Sequence, residues 1–235
     1  MTPSTEAELA EMIATSDEPL RIKGGGTRPI GRTEGQELST AKLSGISLYE
    51  PGALTLVAKP GTPVAEIEEA LAAENQRLAF EPMDHRGLLG TSGTPTIGGV
   101  MAGNISGPRR ISVGAARDFL LGVRFVDGRG AVVKNGGRVM KNVTGYDLVK
   151  LMAGSYGTLG VLSEVSMKVL PRPETQATLV LHGLDDGAAV AAMARALGSP
   201  FEVTGAAHDP ATRETALRIE GFEASVSYRL SQLQS

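Results

Sequence analysis

The chain has 235 residues, 41% of them hydrophobic, enough to fill one large core or two modest ones and to exclude a disordered class. A net charge of -3 with scattered Lys and Arg excludes a nucleic-acid surface, and the absence of cysteine excludes disulfides, thiolate metal sites and cysteine nucleophiles. His85, His182 and His208 lie too far apart for a metal set, and with no run of 18 apolar residues and an acidic, polar start, "MTPSTEAELAEM", the chain reads as cytoplasmic, with neither a membrane span nor a secretory leader expected.

"TEAELAEMI" opens with the capping-box pair Thr5 and Glu8 and puts Leu9, Met12 and Ile13 on one face, which predicts a first helix. "LRIK" and "ALTLVAKP" read as strands. The second runs into Thr62 as N-cap and Pro63 at the first helical position, with Val64, Ile67 and Leu71 continuing a helix to about Asn75. "RLAF" is a further short strand. From His85 to Arg117 glycine, serine and threonine dominate, as in a long loop with something to hold; "IGGVMAGN" within it is helical only if small residues face a close neighbour. "FLLGVRFV" and "AVVK" flank the hairpin signal "DGRG", with Asp127 and Gly128. Val161, Val165, Met167 and Val169 alternate with Glu164, Ser166 and Lys168, the pattern of a half-buried strand. After "LPRPE" come strand "TLVLHG", helix "DGAAVAAMARALG" and strand "FEVTGA", and Pro171 and Pro173 mark a domain boundary. No internal repeat is visible.

Thirty glycines are close to twice the ordinary share. "KGGGTRPIGR", residues 23 to 32, concentrates four of them. Glycine permits positive φ and close backbone approach, so consecutive amides there can converge on an anion; the same residues also suit a plain turn. A Walker loop is excluded because no lysine stands at the required place, and the dinucleotide fingerprint fails at Pro29. Two more glycine-rich stretches lie at 90 to 110 and 141 to 165. A long dinucleotide wrapped by main chain needs such approaches from distant segments.

Four motifs in order, "GGGT", "TIGG" followed by "NISG", "GAARD" and "GYDLVKLMAGSYGTLGV", resemble the FAD-binding domain of the vanillyl-alcohol oxidase or PCMH type over residues 5 to 175. In detail "GTPTIGGVMAGNISGPRRISVGAARDFLLG" and "LRIEGFEASVSYRL" are similar to the E-type FAD-binding subunits of bacterial glycolate oxidases. The resemblance implies an α+β fold: a PCMH-type FAD-binding domain of two α+β subdomains over 1–172, then an incomplete α+β cap domain, strand-helix-strand, over 173–235. It implies FAD as cofactor. Gly24, Gly25, Gly26, Thr27 and Arg28 would give amides to the pyrophosphate, with Lys23 and Gly31 structural. Thr96, Gly98 and Gly99 would pass the flavin, Asn104, Ser106 and Gly107 would return past it, and Gly157, Thr158, Gly160 and Val161 would meet the adenine end.

Around these, Asp118 is expected to fix its loop, Gly154 and Ser155 to cap a helix, and Tyr146 and Asp147 either to support the loop or, for the tyrosine, to lie buried. Relatives place the carboxylate fork and the base largely in the cap, so His85, Arg86, Arg109 and Arg110 are the local candidates and the catalytic residue stays unknown. Covalent attachment at His85 is not assigned. The implied partners are other glycolate oxidase subunits, a second flavoprotein and an iron-sulfur subunit, with a small 2-hydroxy acid as substrate and a partner surface around 175 to 235. The alternatives are a noncatalytic scaffold subunit and a self-sufficient D-lactate-type dehydrogenase.

Overall fold

A computed structural model describes residues 1–30, 34–138 and 145–234. In chain order these form α1 (Glu6–Ala14), β1 (Leu20–Lys23), β2 (Gln36–Ser39), β3 (Ile46–Glu50), a single 3-10 turn at Pro51–Ala53, β4 (Thr55–Ala58), α2 (Val64–Ala73), β5 (Gln76–Arg77), α3 (Arg86–Leu89), α4 (Ile97–Ala102), α5 (Arg110–Val113), α6 (Ala116–Phe119), β6 (Leu120–Val126), β7 (Val132–Gly136), α7 (Leu148–Met152), β8 (Val161–Lys168), β9 (Leu170–Pro171), β10 (Thr175–His182), α8 (Asp186–Leu197), β11 (Gly205–Asp209), β12 (Glu214–Gly221) and α9 (Glu223–Gln234). The fold is α+β. Two compact units result: Met1–Gly107 with Ala115–Leu170, and Pro108–Gly114 with Pro171–Ser235.

The first unit is built on a five-stranded sheet in the order β3-β4-β8-β6-β7, with every neighbouring pair antiparallel. β8 is central. Its Val161, Leu162, Ser163, Val165, Ser166 and Met167 are all buried, so the expected half-buried strand is instead covered on both faces, with only Glu164 and Lys168 partly exposed. The reason is α4, which packs against β8 on one side. Phe80 and Phe119 stack at 5.4 Å between ring centres. A second core joins Leu9 and Ile13 of α1 to Leu38, Leu43, Val126 and Val161, and against it lie Leu20 and Ile22 of β1. β1 and β2 form a separate parallel pair with Arg21 opposite Glu37.

Local signals set the ends of these elements. Thr5 caps α1 by accepting the Glu8 amide at 3.1 Å, and Glu8 Oε2 accepts from the Ser4 amide at 2.7 Å. Thr62 does not cap α2: Pro63 takes the cap position, and the Thr62 hydroxyl donates to Lys59 O at 2.7 Å while accepting from the Gly45 amide at 2.9 Å. "RLAF" yields only the two-residue β5, after which Leu78, Ala79 and Phe80 turn into the core. Residues 85 to 117 contain four short helices instead of one loop. Asp127 closes the β6–β7 hairpin as expected, its Oδ1 accepting from the Arg129 and Ala131 amides at 2.9 Å each.

The second unit holds a three-stranded antiparallel sheet, β10-β12-β11. It extends beyond strand-helix-strand, since β12 and α9 are added to β10, α8 and β11. Ala196, Val203 and Leu217 form its core, with Leu179, Leu181, Met193 and Leu233 packed on them. The excursion 108–114 is pinned here by a buried ion pair, Arg109 Nη1 to Glu220 Oε2 at 2.5 Å, and Arg229 Nη2 donates to Glu220 O at 2.7 Å.

In the first unit α1 is tied to the sheet by Glu6, which accepts from Arg124 Nη2 at 2.5 Å and from the Ser163 hydroxyl at 2.5 Å. The Arg124 hydrogen bond holds the Glu6 pKa below its ordinary value, against the opposing effect of burial. A lowered folded pKa gives stability that is present above the unfolded carboxylate value and fades as pH falls toward the folded one. Glu6→Gln should therefore cost about 1 kcal/mol near neutrality. Its deficit against the wild type should shrink on acidification below about pH 4, as read from urea unfolding at a series of pH values.

Candidate functional site

A cavity of about 390 Å³ opens in the first unit, a volume suited to a small-molecule ligand. Its walls are Arg21 to Pro29, Glu37 and Thr40 from the β2 side, Pro60, then Gly98, Gly99, Ala102 and Gly103 along α4, and Tyr156, Gly157 and Gly160 to Leu162. β1 delivers the glycine loop to this place: Thr40 donates its amide to Lys23 O at 2.9 Å, and the chain then turns away from β2.

The loop is held by main chain. A Cβ on Gly25 would sit 1.5 Å from Thr94 O, and one on Gly93 would sit 1.8 Å from Gly25 O, so neither position accepts any other residue. Thr91 Oγ1 donates to Thr27 O at 2.9 Å. α4 is glycine-rich because it crosses Pro60 closely: the Gly98 amide donates to Pro60 O at 2.8 Å, and a Cβ there would meet Pro60 Cβ at 2.5 Å. Small residues in "IGGV" thus do face a close neighbour. Opposite, Tyr156 (φ 52°) and Gly157 (φ +80°) form a left-handed pair that turns the chain beside Ile22.

Ten of the fifteen residues singled out from sequence line the cavity: Gly24, Gly25, Gly26, Thr27, Arg28, Gly98, Gly99, Gly157, Gly160 and Val161. Five do not. Thr96 stands just behind the wall. Asn104 Oδ1 accepts from the Arg117 amide at 2.9 Å, Ser106 Oγ accepts from the Ala116 amide at 2.9 Å, and the Gly107 amide donates to Phe80 O at 2.8 Å; these three build the turn after α4. Thr158 is exposed and closes its own turn on Ser155 O at 2.7 Å. Asp118 fixes its loop as expected, accepting the Ala115 amide at 2.9 Å. Asp147 caps α7, whereas Tyr146 is 88% exposed and not a core tyrosine. Gly154 lies one residue past the α7 cap at Ala153 and donates its amide to Ala102 O at 2.9 Å. Gly31 lies outside the described residues.

Sequence reasoning missed Arg21, Ile22, Pro29, Glu37, Thr40, Pro60, Ala102, Gly103, Tyr156 and Leu162, and set Lys23 aside as structural. Tyr156 adjoins a residue already chosen. Glu37 and Pro60 carry no local signal, because pairing across β1–β2 and the α4 crossing bring them in. The other candidates are placed elsewhere. His85 Nδ1 contacts Met83 O at 3.1 Å, and Arg86 grips Asp84 at 2.7 to 3.1 Å; neither lines the cavity. Asp84 is thereby pulled down to a pKa of about 2. Arg109 and Arg110 belong to the second unit.

The lining suits an anionic, elongated ligand. Among the described residues the amides of Gly24, Gly25, Gly26, Thr27 and Arg28 donate to no protein acceptor, and Thr96 Oγ1 is buried without a partner. Unmatched donors in one loop, beside three cationic side chains, favour a ligand rich in acceptor oxygens such as a diphosphate. No group of three or more metal-ligating side chains occurs among the described residues.

Comparison with known proteins agrees with this chemistry. A family model described as FAD binding domain matches residues 1–136. The chain belongs to that family, and its cofactor is FAD. It is 47% identical over 169 residues to glycolate oxidase subunit GlcE of Escherichia coli (strain K12), covering 71% of this chain and 47% of that protein. Against glycolate oxidase subunit GlcD of Bacillus subtilis (strain 168) identity is 32% over 187 residues, 77% of this chain and 38% of the other. A D-lactate dehydrogenase of Archaeoglobus fulgidus is 28% identical over 186 residues, covering 76% of this chain and 40% of that protein. The chain spans less than half the length of these relatives. Among solved structures, alkyldihydroxyacetonephosphate synthase superposes with a TM-score of 0.78 at 17% identity, over 99% of this chain and 49% of that one, a likeness of fold.

Because the Gly25 Cβ position is filled by a carbonyl oxygen, Gly25→Ala forces the loop off its support. We expect a loss of about 3 kcal/mol in guanidinium unfolding and a fall in bound flavin, whereas Gly87→Ala, where nothing lies within 4 Å, should leave both unchanged.

Proposed function

We propose that this chain is the FAD-binding part of a multi-subunit glycolate oxidase, in which a 2-hydroxy acid is oxidised and the electrons leave through a partner subunit. The observation that carries the reading is the unsatisfied amide run of Gly24 to Arg28 facing a cavity walled by α4 and Tyr156 to Leu162, in a chain similar to a glycolate oxidase subunit. In this reading the loop amides take the diphosphate, and α4 with Gly157, Gly160 and Val161 flanks the rest. Bound FAD supplies the acceptor for the two electrons removed from the substrate. The protein's own residues bind and orient it, with Ile22, Ala102, Val161 and Leu162 giving the cavity an apolar side.

A partner is part of this proposal. These 235 residues contain no cysteine and so hold no cysteine-ligated cluster; in this reading onward transfer goes to iron-sulfur centres outside them. The second unit exposes Val180, Val190, Phe222 and Tyr228, the kind of apolar surface that a sister subunit covers. Among the described residues no helix is long and apolar enough to cross a membrane.

The test is optical. Purified protein is expected to carry, or to take up, flavin that is released as FAD on denaturation, and anaerobic glycolate added in the presence of the sister subunits should bleach its visible band. Protein that stays colourless with excess FAD would leave a scaffold role instead. Bleaching of the isolated chain by D-lactate, and not by glycolate, would favour a self-sufficient D-lactate dehydrogenase.

A further inference from the structure

The charges around the cavity are sorted. Glu37 holds two of the three lining cations: its Oε2 lies 2.7 Å from Arg21 Nη2 and 3.2 Å from Lys23 Nζ. Arg28 is different. Among the described residues it makes no ion pair, and its Nη1 is buried without a hydrogen bond. The acidic groups whose fields reach it are the Tyr156 phenol and Asp84, the latter already gripped by Arg86. Burial lowers the Arg28 pKa, though a guanidinium stays protonated at any physiological pH. The seat is specific as well: a Cβ on Gly99 would lie 3.0 Å from Arg28 Nη2, so the guanidinium rests on a point of α4 that has no side chain.

Arg28 is half-buried, and enclosing its Nη1 without a hydrogen-bond partner costs free energy. Such a group is retained where a ligand supplies the missing charge. We propose that the Arg28 side chain, and not only the loop amides, is the diphosphate-binding cation of this cavity, and that Glu37 makes it the sole phosphate subsite by occupying Arg21 and Lys23. This rests on the reading of the cavity as the FAD site. The planar fork of Arg28 can meet two oxygens of a diphosphate at once, which a lysine cannot. Three cations and one carboxylate leave the lining with two positive charges in excess, matching the two negative charges of a dinucleotide diphosphate. Removing the Glu37 charge would free two cations at the β1–β2 end and open a second place for phosphate.

The experiment is calorimetric titration of the folded chain with FAD, ADP, riboflavin and inorganic diphosphate at low salt. Arg28→Gln should weaken FAD and ADP roughly 10- to 100-fold and leave riboflavin, which has no phosphate, unchanged. Arg28→Lys should retain part of the affinity. Gly99→Ala should weaken ADP several-fold without lowering the melting temperature, since alanine favours a helix; this variant carries the test should Arg28→Gln fold poorly. Glu37→Gln should keep one equivalent of inorganic diphosphate and add a second. Equal losses for riboflavin and FAD in Arg28→Gln, or unchanged ADP binding, would overturn the role of Arg28, and a single equivalent in Glu37→Gln would overturn that of Glu37. Wild-type protein that binds neither FAD nor ADP would instead overturn the FAD reading itself.

Discussion

The contact between the backbone of Gly25 and that of Gly93 to Thr94 governs the site. Two loops separated by nearly seventy residues meet with no side chain between them, so close that a single methyl carbon on either glycine would overlap a carbonyl oxygen. With the loops locked in this way, the amides that follow β1 cannot turn back to pair with β2 or with the sheet. They remain directed at open space. Gly24, Gly25 and Arg28 are partly exposed and Gly26 is exposed, so these amides stay open to solvent or to a ligand that brings acceptors, which ties the packing of the first unit to its capacity to bind.

The same constraint explains why α4 has its composition and why β8 is covered. Gly98 allows the helix to approach Pro60, and Val100 and Met101, both fully buried, then face inward. β8 lies beneath it with its Val165 and Met167 also fully buried. A side chain at 98 would hold α4 away from Pro60, and one at 99 would take the seat of the Arg28 guanidinium. Small residues at this point therefore serve two contacts, one with the proline and one with the arginine.

Much of this was legible in the sequence, and the limits are physical. Spacing and capping signals mark α1, the β6–β7 hairpin and α8 because these elements depend on neighbours a few residues away. The glycine clusters mark segments that line one cavity. What sequence could not separate is the reason for each glycine: Gly25 is demanded by Thr94, Gly98 by Pro60 and Gly99 by Arg28, and all three look alike in a motif. Strand alternation misled at β8, since Ser166 reads as polar although it is buried in a strand covered on two sides. The assignment of 108–114 to the second unit was hidden too, because the Arg109–Glu220 pair spans 111 residues. Asn104, Ser106 and Gly107 stand in a motif shared with the cavity-lining glycines, yet their polar groups are consumed by the turn that returns the chain from α4.

The cavity also shows a division of labour. Among the described residues its lining includes no histidine, and its only carboxylate, Glu37, is engaged by two cations. Both of its oxygens already accept hydrogen bonds from these side chains. His85, the histidine nearest in sequence to the lining residues of α4, is turned to the Met83 carbonyl. Nothing on these walls is therefore suited to remove a proton from a substrate, while the amide run, the glycine gaps and Arg28 are all suited to hold a dianionic cofactor. Binding and orientation are written into the first unit; under the proposed function, the acid-base groups for hydroxy-acid oxidation lie outside that cavity wall.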